Sequence, residues 1–107
     1  MALSRMTYAA AAGEALAAAM RADPRVVAVG EDLGRGGVFG QYRSRAADGA
    51  LRPLQQEFGA ARIVDTPISE ANIMGAAVGM ALAGLRPVVE MRVIDFALCG
   101  MDELVNQ

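Results

Sequence analysis

Glu70 opens a helix of small residues, behind Thr66-Pro67-Ile68-Ser69 and ahead of Ala71, Ile73 and Met74. A carboxylate at a helix N-terminus complements the helix dipole, an effect of about 0.3–1 kcal/mol. The apolar neighbours support a second use. They would desolvate the carboxylate and favour its protonated form, so that it can exchange a proton with a ring nitrogen of a ligand. Glu31 and Asp32 directly follow the apolar run Val26–Gly30. Acids there serve as loop solvation, or bind a ribose hydroxyl, a metal or another carboxylic acid. A second carboxyl near Glu70 permits proton sharing, because two like charges resist joint ionisation. Phe96, after Asp95, is either a core aromatic or a stacking platform for a flat ring. Cys99 reads as a small buried hydrophobe rather than a nucleophile. Gly34–Gly40, GRGGVFG, matches neither the dinucleotide nor the P-loop pattern and reads as a mobile loop.

Composition narrows the chemistry further. The chain has 107 residues, 54% of them hydrophobic, which is enough for one packed domain. Formal net charge is −2 and no residue is Lys; the ten basic residues are scattered Arg, which argues against a nucleic-acid surface. With no His, the usual general base and commonest metal ligand are absent, and one Cys excludes an intrachain disulfide. The first residues, MALSRMTY, carry no long apolar run of a targeting signal. The apolar stretch Ile73–Leu85 is shorter than the ~20 residues a bilayer span needs. A cytoplasmic protein that meets neither membrane nor nucleic acid is the expectation. The last residues, DELVNQ, fall within an expected helix, which suggests the front part of a longer chain.

The elements that position these residues follow from propensity and punctuation. Thr7 caps an Ala-rich helix from Tyr8 to about Ala22, which Asp23-Pro24 stops. Val26–Gly30 is a β-branched run expected of a strand buried on both faces. A helix is expected over Leu51–Phe58 with Gly59 as its stop, and a strand over Arg62–Asp65. Ser69 should cap the Glu70 helix and Gly84 end it. A third strand over Pro87–Arg92, a turn at Asp95-Phe96 and a helix over Ala97–Gln107 complete the chain. The order α-β-α-β-α-β-α predicts an α/β fold: a parallel sheet with helices on both faces and right-handed crossovers. Ligands of such sheets bind outside the carboxyl ends of the strands. Glu31-Asp32, Thr66–Glu70 and Arg92–Phe96 all fall on that rim. Gly75 and Gly79 leave one side of the Glu70 helix without bulk, for close approach by a strand beneath or a partner helix.

Four blocks together, GEDLG (Gly30–Gly34), RIVDTPISE (Arg62–Glu70), GAAVGMALAGLRPVVE (Gly75–Glu90) and DFALCGMDELVNQ (Asp95–Gln107), closely resemble one family. It is the beta subunit of the thiamine-diphosphate-dependent 2-oxo acid dehydrogenase component, of pyruvate, branched-chain and acetoin type. The resemblance covers nearly the whole chain in order. It implies that residues 1–107 are the N-terminal part of a transketolase-like pyrimidine-binding domain. By that resemblance Glu70 hydrogen-bonds N1′ of the thiamine diphosphate aminopyrimidine, and Glu31 belongs to a proton path between paired active sites. Ile68 and Phe96 line the pyrimidine ring, and the Gly75/Gly79 helix packs on a partner subunit. The implied cofactor loses a proton from its thiazolium carbon and attacks the 2-oxo acid substrate, with its Mg2+ and diphosphate held by an alpha subunit.

The resemblance further implies an alpha2beta2 heterotetramer that passes its acyl group to a lipoyl-bearing acyltransferase. The chain alone is then expected to be inactive. Arg92 departs from the Met or Gln of many relatives near the cofactor; it recognises an acidic substrate group, or pairs with Asp95 or Glu90. The absence of a Gly-Asp-Gly…Asn-Asn segment fits a family in which that segment is on the alpha subunit. Beside a weaker one, a free-standing nucleotide-binding domain that rests on GRGGVFG alone, two alternatives stay open. One is another thiamine-diphosphate enzyme, of transketolase or deoxyxylulose phosphate synthase type. The other is a non-catalytic interaction domain with the same fold.

Overall fold

The computed structural model describes residues 5–107. The reading of the extreme N-terminus as free of a targeting signal rests partly on Met1–Ser4 and lies outside them. Helix α1 spans Tyr8–Ala22, and the Thr7 Oγ1 accepts the Ala10 N–H at 3.1 Å, as a capping residue should. Strand β1 (Val26–Gly30) follows and is buried along its whole length. It forms the middle of a three-stranded sheet, paired in parallel with β4 (Ile63–Asp65) on one side and β5 (Arg86–Val89) on the other.

Side-chain alternation along β1 divides the core. Val26 and Ala28 pack with Ala17 and Met20 of α1, with Leu33, Tyr42 and Ile63, and with Leu54 of α2 (Leu54–Phe58). Val27 and Val29 therefore face the other way, towards α3 (Glu70–Leu82), whose Ile73 and Ala77 are buried. The sheet is flanked by helices as expected. Met20, Leu33, Leu54 and Ile63 are almost fully buried, and each contributes about 1.5–3 kcal/mol of transfer free energy.

Helix α3 ends in a Schellman motif. The Leu85 N–H reaches the Met80 carbonyl at 2.9 Å and the Gly84 N–H the Ala81 carbonyl at 3.1 Å. Gly84 adopts φ +98, the left-handed conformation the motif requires. The expected Gly stop is met, but the expected cap is not. The Ser69 hydroxyl donates to the Pro67 carbonyl at 2.9 Å and makes no capping bond. A local turn bond has outcompeted the helix end.

Three further expectations are corrected. The helix over Leu51–Phe58 begins only at Leu54, because Leu51–Pro53 form strand β3, which pairs antiparallel with β2 (Arg43–Arg45). This hairpin was not anticipated. The third sheet strand ends at Val89, not Arg92, since pairing with β1 stops there. The helix over Ala97–Gln107 is instead a 3-10 segment over Ile94–Gly100 followed by a short α4 (Met101–Val105). Gly100 is the reason. A Cβ there would sit 2.7 Å from Met74 Cγ and 3.2 Å from the Glu70 carbonyl oxygen, so its backbone lies against α3 and resets the helical register. No described helix is long and apolar enough to cross a membrane.

Candidate functional site

The carboxyl ends of the three parallel strands form one rim. The Thr66 N–H bonds the Gly30 carbonyl and the Glu90 N–H the Val29 carbonyl, each at 2.9 Å, so the segments leaving β4 and β5 are tied to β1. Glu31, Asp32, Thr66, Ile68, Glu70, Glu90 and Arg92 gather beyond these ties. Gly30 is required at the centre. A Cβ on it would collide with the Cβ of Glu90, so only glycine lets the β5 exit cross that close.

Glu70 takes the first position of α3, half-exposed, and its carboxylate has no hydrogen-bond or ion-pair partner among the described residues. Ile68 is 80% exposed and Phe96 46% exposed, so neither belongs to the core. The reading of Phe96 as a core aromatic is corrected: nearly half of its surface is open to solvent. Cys99 is also exposed rather than buried, because the 3-10 segment turns it outward. Thr66 Oγ1 and Arg92 Nε are buried without a partner. An unpaired carboxylate and two exposed apolar side chains suit a ligand that is flat, apolar on its faces and carries ring nitrogens. The aminopyrimidine of thiamine diphosphate is such a group, so the residues present fit it.

Arg92 pairs with neither Asp95 nor Glu90. Its Nη2 contacts Asp32 Oδ2 and lies 3.8 Å from Glu31 Oε2. Glu90 instead accepts from the Tyr42 hydroxyl at 2.9 Å and from Gln41 Nε2 at 3.1 Å. Burial, then the bond to Glu90, pushes the Tyr42 phenol well above its ordinary pKa. Tyr42 and Gln41 thereby dock the Gly34–Gly40 loop at the rim. Gly36, Gly37 and Gly40 of that loop take positive φ, and the Gly37 N–H returns to the Asp32 carbonyl at 3.1 Å. Tyr42 was missed in the sequence, and Glu90 was named only as a possible partner of Arg92. The signal for Glu90 was the one used for Glu31, an acid at the exit of an apolar strand.

On α3, Gly75 lies under Glu103 of α4, its would-be Cβ 3.5 Å from Glu103 Cγ, whereas Gly79 has nothing within 4 Å of a Cβ. A side chain at Gly75 would make ordinary contact with α4, whereas the surface at Gly79 is open. Among the described residues no group of His, Cys, Asp or Glu is placed to hold a metal ion. A hollow of about 600 Å³ lies away from the rim, lined by Arg21, Ser44, Arg45, Arg52 and Glu57 among others. Its cations are already engaged, Arg21 by Glu57 at 2.6 Å and Arg52 by Asp48 at 2.5 Å.

Residues 4–107 match the family described as the transketolase pyrimidine binding domain. The chain belongs to this family. Among curated relatives, it is 48% identical over 90 residues to the pyruvate dehydrogenase E1 component subunit beta of Leifsonia xyli subsp. xyli, covering 83% of this chain and 24% of that protein. It is 42% identical over 101 residues to the acetoin:2,6-dichlorophenolindophenol oxidoreductase subunit beta of Bacillus subtilis, covering 91% of this chain and 30% of that one. The 2-oxoisovalerate dehydrogenase subunit beta of Bacillus subtilis is 37% identical over 106 residues, at 98% and 30% coverage. The chain therefore spans less than a third of the length of these relatives. The parallel β4-β1-β5 sheet and its flanking helices are the transketolase-like pyrimidine-binding architecture.

Proposed function

We propose that this chain is the N-terminal part of the pyrimidine-binding domain of a 2-oxo acid dehydrogenase beta subunit, and that Glu70 is its acid–base residue. The observation that carries the reading is the unpartnered carboxylate of Glu70 on the ligand rim, beside the exposed Ile68, in a chain of this family. Relatives named as pyruvate, acetoin and 2-oxoisovalerate enzymes support the substrate class without choosing among its members.

When bound, thiamine diphosphate supplies a nucleophilic carbon and an electron sink for decarboxylation of a 2-oxo acid. The chain's residues supply orientation and proton placement. Glu70 holds a proton at its carboxyl oxygen for N1′ of the aminopyrimidine. Ile68 and Phe96 cover the ring faces and exclude water. Water exclusion strengthens the Glu70 hydrogen bond, because screening falls with the local dielectric. This chain leaves Ile68 and Glu70 open, so the covering surface comes from elsewhere. We assign it to an alpha subunit of an alpha2beta2 assembly, which also holds Mg2+ and the diphosphate. Glu31 belongs to a proton path, Gly79 to a subunit contact and the acyl product to a lipoyl-bearing acyltransferase.

The test uses the full-length protein that carries this chain, co-expressed with its alpha subunit. Decarboxylation of pyruvate and branched-chain 2-oxo acids is assayed with and without thiamine diphosphate, for wild type and Glu70→Gln. Cofactor-dependent activity that falls about 100-fold or more in the variant supports the reading, in line with the loss of a general acid–base group. Unchanged activity in Glu70→Gln refutes it. A second reading, a non-catalytic interaction domain, draws on the exposed Leu98, Leu104 and Val105. An assembled protein that binds no thiamine diphosphate would favour it.

A further inference from the structure

Arg92 was open to two roles, receptor for an acidic substrate group or partner of a nearby acid. The geometry decides between them. After Gly30, Asp32 takes a left-handed backbone (φ 57, ψ 26), the one non-glycine residue with positive φ among the described residues. Such a conformation is uncommon for a residue with a Cβ, and Asp is among the types that tolerate it. It reverses the chain as it leaves β1. The carbonyl of Asp32 receives the Gly37 N–H, and its carboxylate meets Arg92 Nη2. Glu31 is the more buried acid, its side chain only 13% exposed, and its Oε2 lies 3.8 Å from the same Nη2. One guanidinium thus faces two carboxylates. No net positive charge remains to draw in an anionic substrate group, and the local excess of negative charge opposes one.

We propose that Arg92 is a positioning residue: it fixes the carboxylate of Glu31, and it does not receive the substrate's carboxylate. The proposal rests on the reading of Glu31 as a proton-path acid. Glu31 leaves the end of β1 on a short turn, and among the described residues its carboxylate has no other ion-pair or hydrogen-bond partner. Arg92, anchored on the β5 exit by its bond to Asp32, is among the described residues the one opposite charge within 4 Å of the Glu31 carboxylate and biases its orientation by attraction, without a hydrogen bond. Both contacts fall on the single Nη2, so the guanidinium acts here as one point of positive charge between two acids, a role that a Lys can fill in part.

The test is a double-mutant cycle in the full-length protein assembled with its alpha subunit: Arg92→Met, Glu31→Gln, the double variant, and Arg92→Lys. Two quantities are read, kcat and KM for the 2-oxo acid, and the thermal midpoint of the assembly without cofactor. Arg92→Met should lower kcat by about tenfold with KM within about twofold, since loss of catalytic alignment by ~1 Å costs up to about 100-fold. Arg92→Lys should recover part of the loss, and in the Glu31→Gln background Arg92→Met should have no further effect on kcat. A tenfold rise in KM at constant kcat would overturn the proposal in favour of a substrate receptor. Additive kcat losses, or a lowered midpoint with kcat intact, would overturn it as well. If wild type neither binds thiamine diphosphate nor decarboxylates, the proposed function falls on its own. The cycle in thermal midpoints then judges the pairing: coupled losses support it and additive losses reject it.

Discussion

Replacing Arg62 by Met should destabilise the fold by about 3 kcal/mol without touching the ligand rim. Arg62 leads into β4 and is half-buried, and its guanidinium serves three carbonyls. Nη2 donates to Met20 O at 2.8 Å, Asp23 O at 2.8 Å and Val26 O at 3.0 Å, and Nε adds a 3.2 Å bond to Val26 O. These acceptors are the last turn of α1, the residue after it and the first residue of β1. The side chain therefore closes the α1–β1 connection and complements the negative end of the α1 dipole. It also lies over Phe58, 5.1 Å from the ring centroid. Hydrogen bonds to charged groups are worth roughly 1.5–3 kcal/mol each in isolation. They share one guanidinium, and Asp23 O retains the Val26 N–H at 3.2 Å, so the losses do not add. Met keeps the apolar stem over Phe58 and isolates the polar contribution. Urea unfolding followed by circular dichroism should show a lower midpoint with an unchanged slope. A loss under about 1 kcal/mol for Arg62→Met would refute the view that these bonds, and not the stem, hold the junction.

Gly30→Ala should cost about 1–3 kcal/mol, the range for overpacking, because the new methyl meets Glu90 Cβ and must displace the β5 exit; a neutral result in the same unfolding assay would show that exit to be pliable. Asp23 contributes to the acid limb beside Asp48 and Glu57, whose carboxyls Arg52 and Arg21 also hold below their ordinary values. Its hydrogen bonds from the Arg25 side chain and backbone, with the nearby Arg25 and Arg86 charges, lower its carboxyl to a pKa of about 2. A depressed carboxylate adds stability that is present above its unfolded pKa and is lost as pH falls through the folded one. Stability should therefore decline between about pH 4 and pH 2, and Asp23→Asn should flatten that part of the profile; an unchanged profile in the variant would reject the assignment.

Elements with a strong local signal were legible. Helix α1 carries Thr7 at its start, an Ala-rich body and Asp23-Pro24 behind it, and its boundaries are those expected. Strand β1 is a continuous apolar run rich in Val, and it is buried at every position. The β2–β3 hairpin was illegible because its strands are polar, Arg43-Ser44-Arg45 facing Leu51-Arg52-Pro53, and lack alternation. Tertiary contacts make it. The Arg45 N–H finds Glu14 Oε1 at 2.8 Å, and Gly13 admits the Arg43 carbonyl against α1. One local cue was available. Asp48-Gly49 is a turn dipeptide, Gly49 has φ +83, and Ala46 and Ala50 close the turn at 2.8 Å. Of the site, Glu31, Ile68, Glu70 and Arg92 were legible as members of one rim, since strand exits of a parallel sheet converge. The partner of Arg92 was not, because it depends on the left-handed turn at Asp32, and Asp in that conformation has no sequence signature.

The two faces of the sheet explain where the chain is complete in itself and where it is not. On the α1 side, Ala17, Met20, Leu33, Tyr42, Leu54 and Ile63 close over Val26 and Ala28 with almost no exposure. On the other side, Ile73 and Ala77 cover Val27 and Val29, but the layer beyond α3 leaves Ile94, Leu98, Leu104 and Val105 more than half exposed. Exposed apolar side chains grouped on one side of a domain are the kind of surface that a further part of the protein or a partner covers. The rim with Glu70, Ile68 and Phe96 borders that uncovered side, at the head of α3 and in the segment packed against it. A ligand seated there would be enclosed by the same body that covers the apolar array. Enclosure and assembly then become one event, and removing Gly79's open surface by Gly79→Leu should weaken both together.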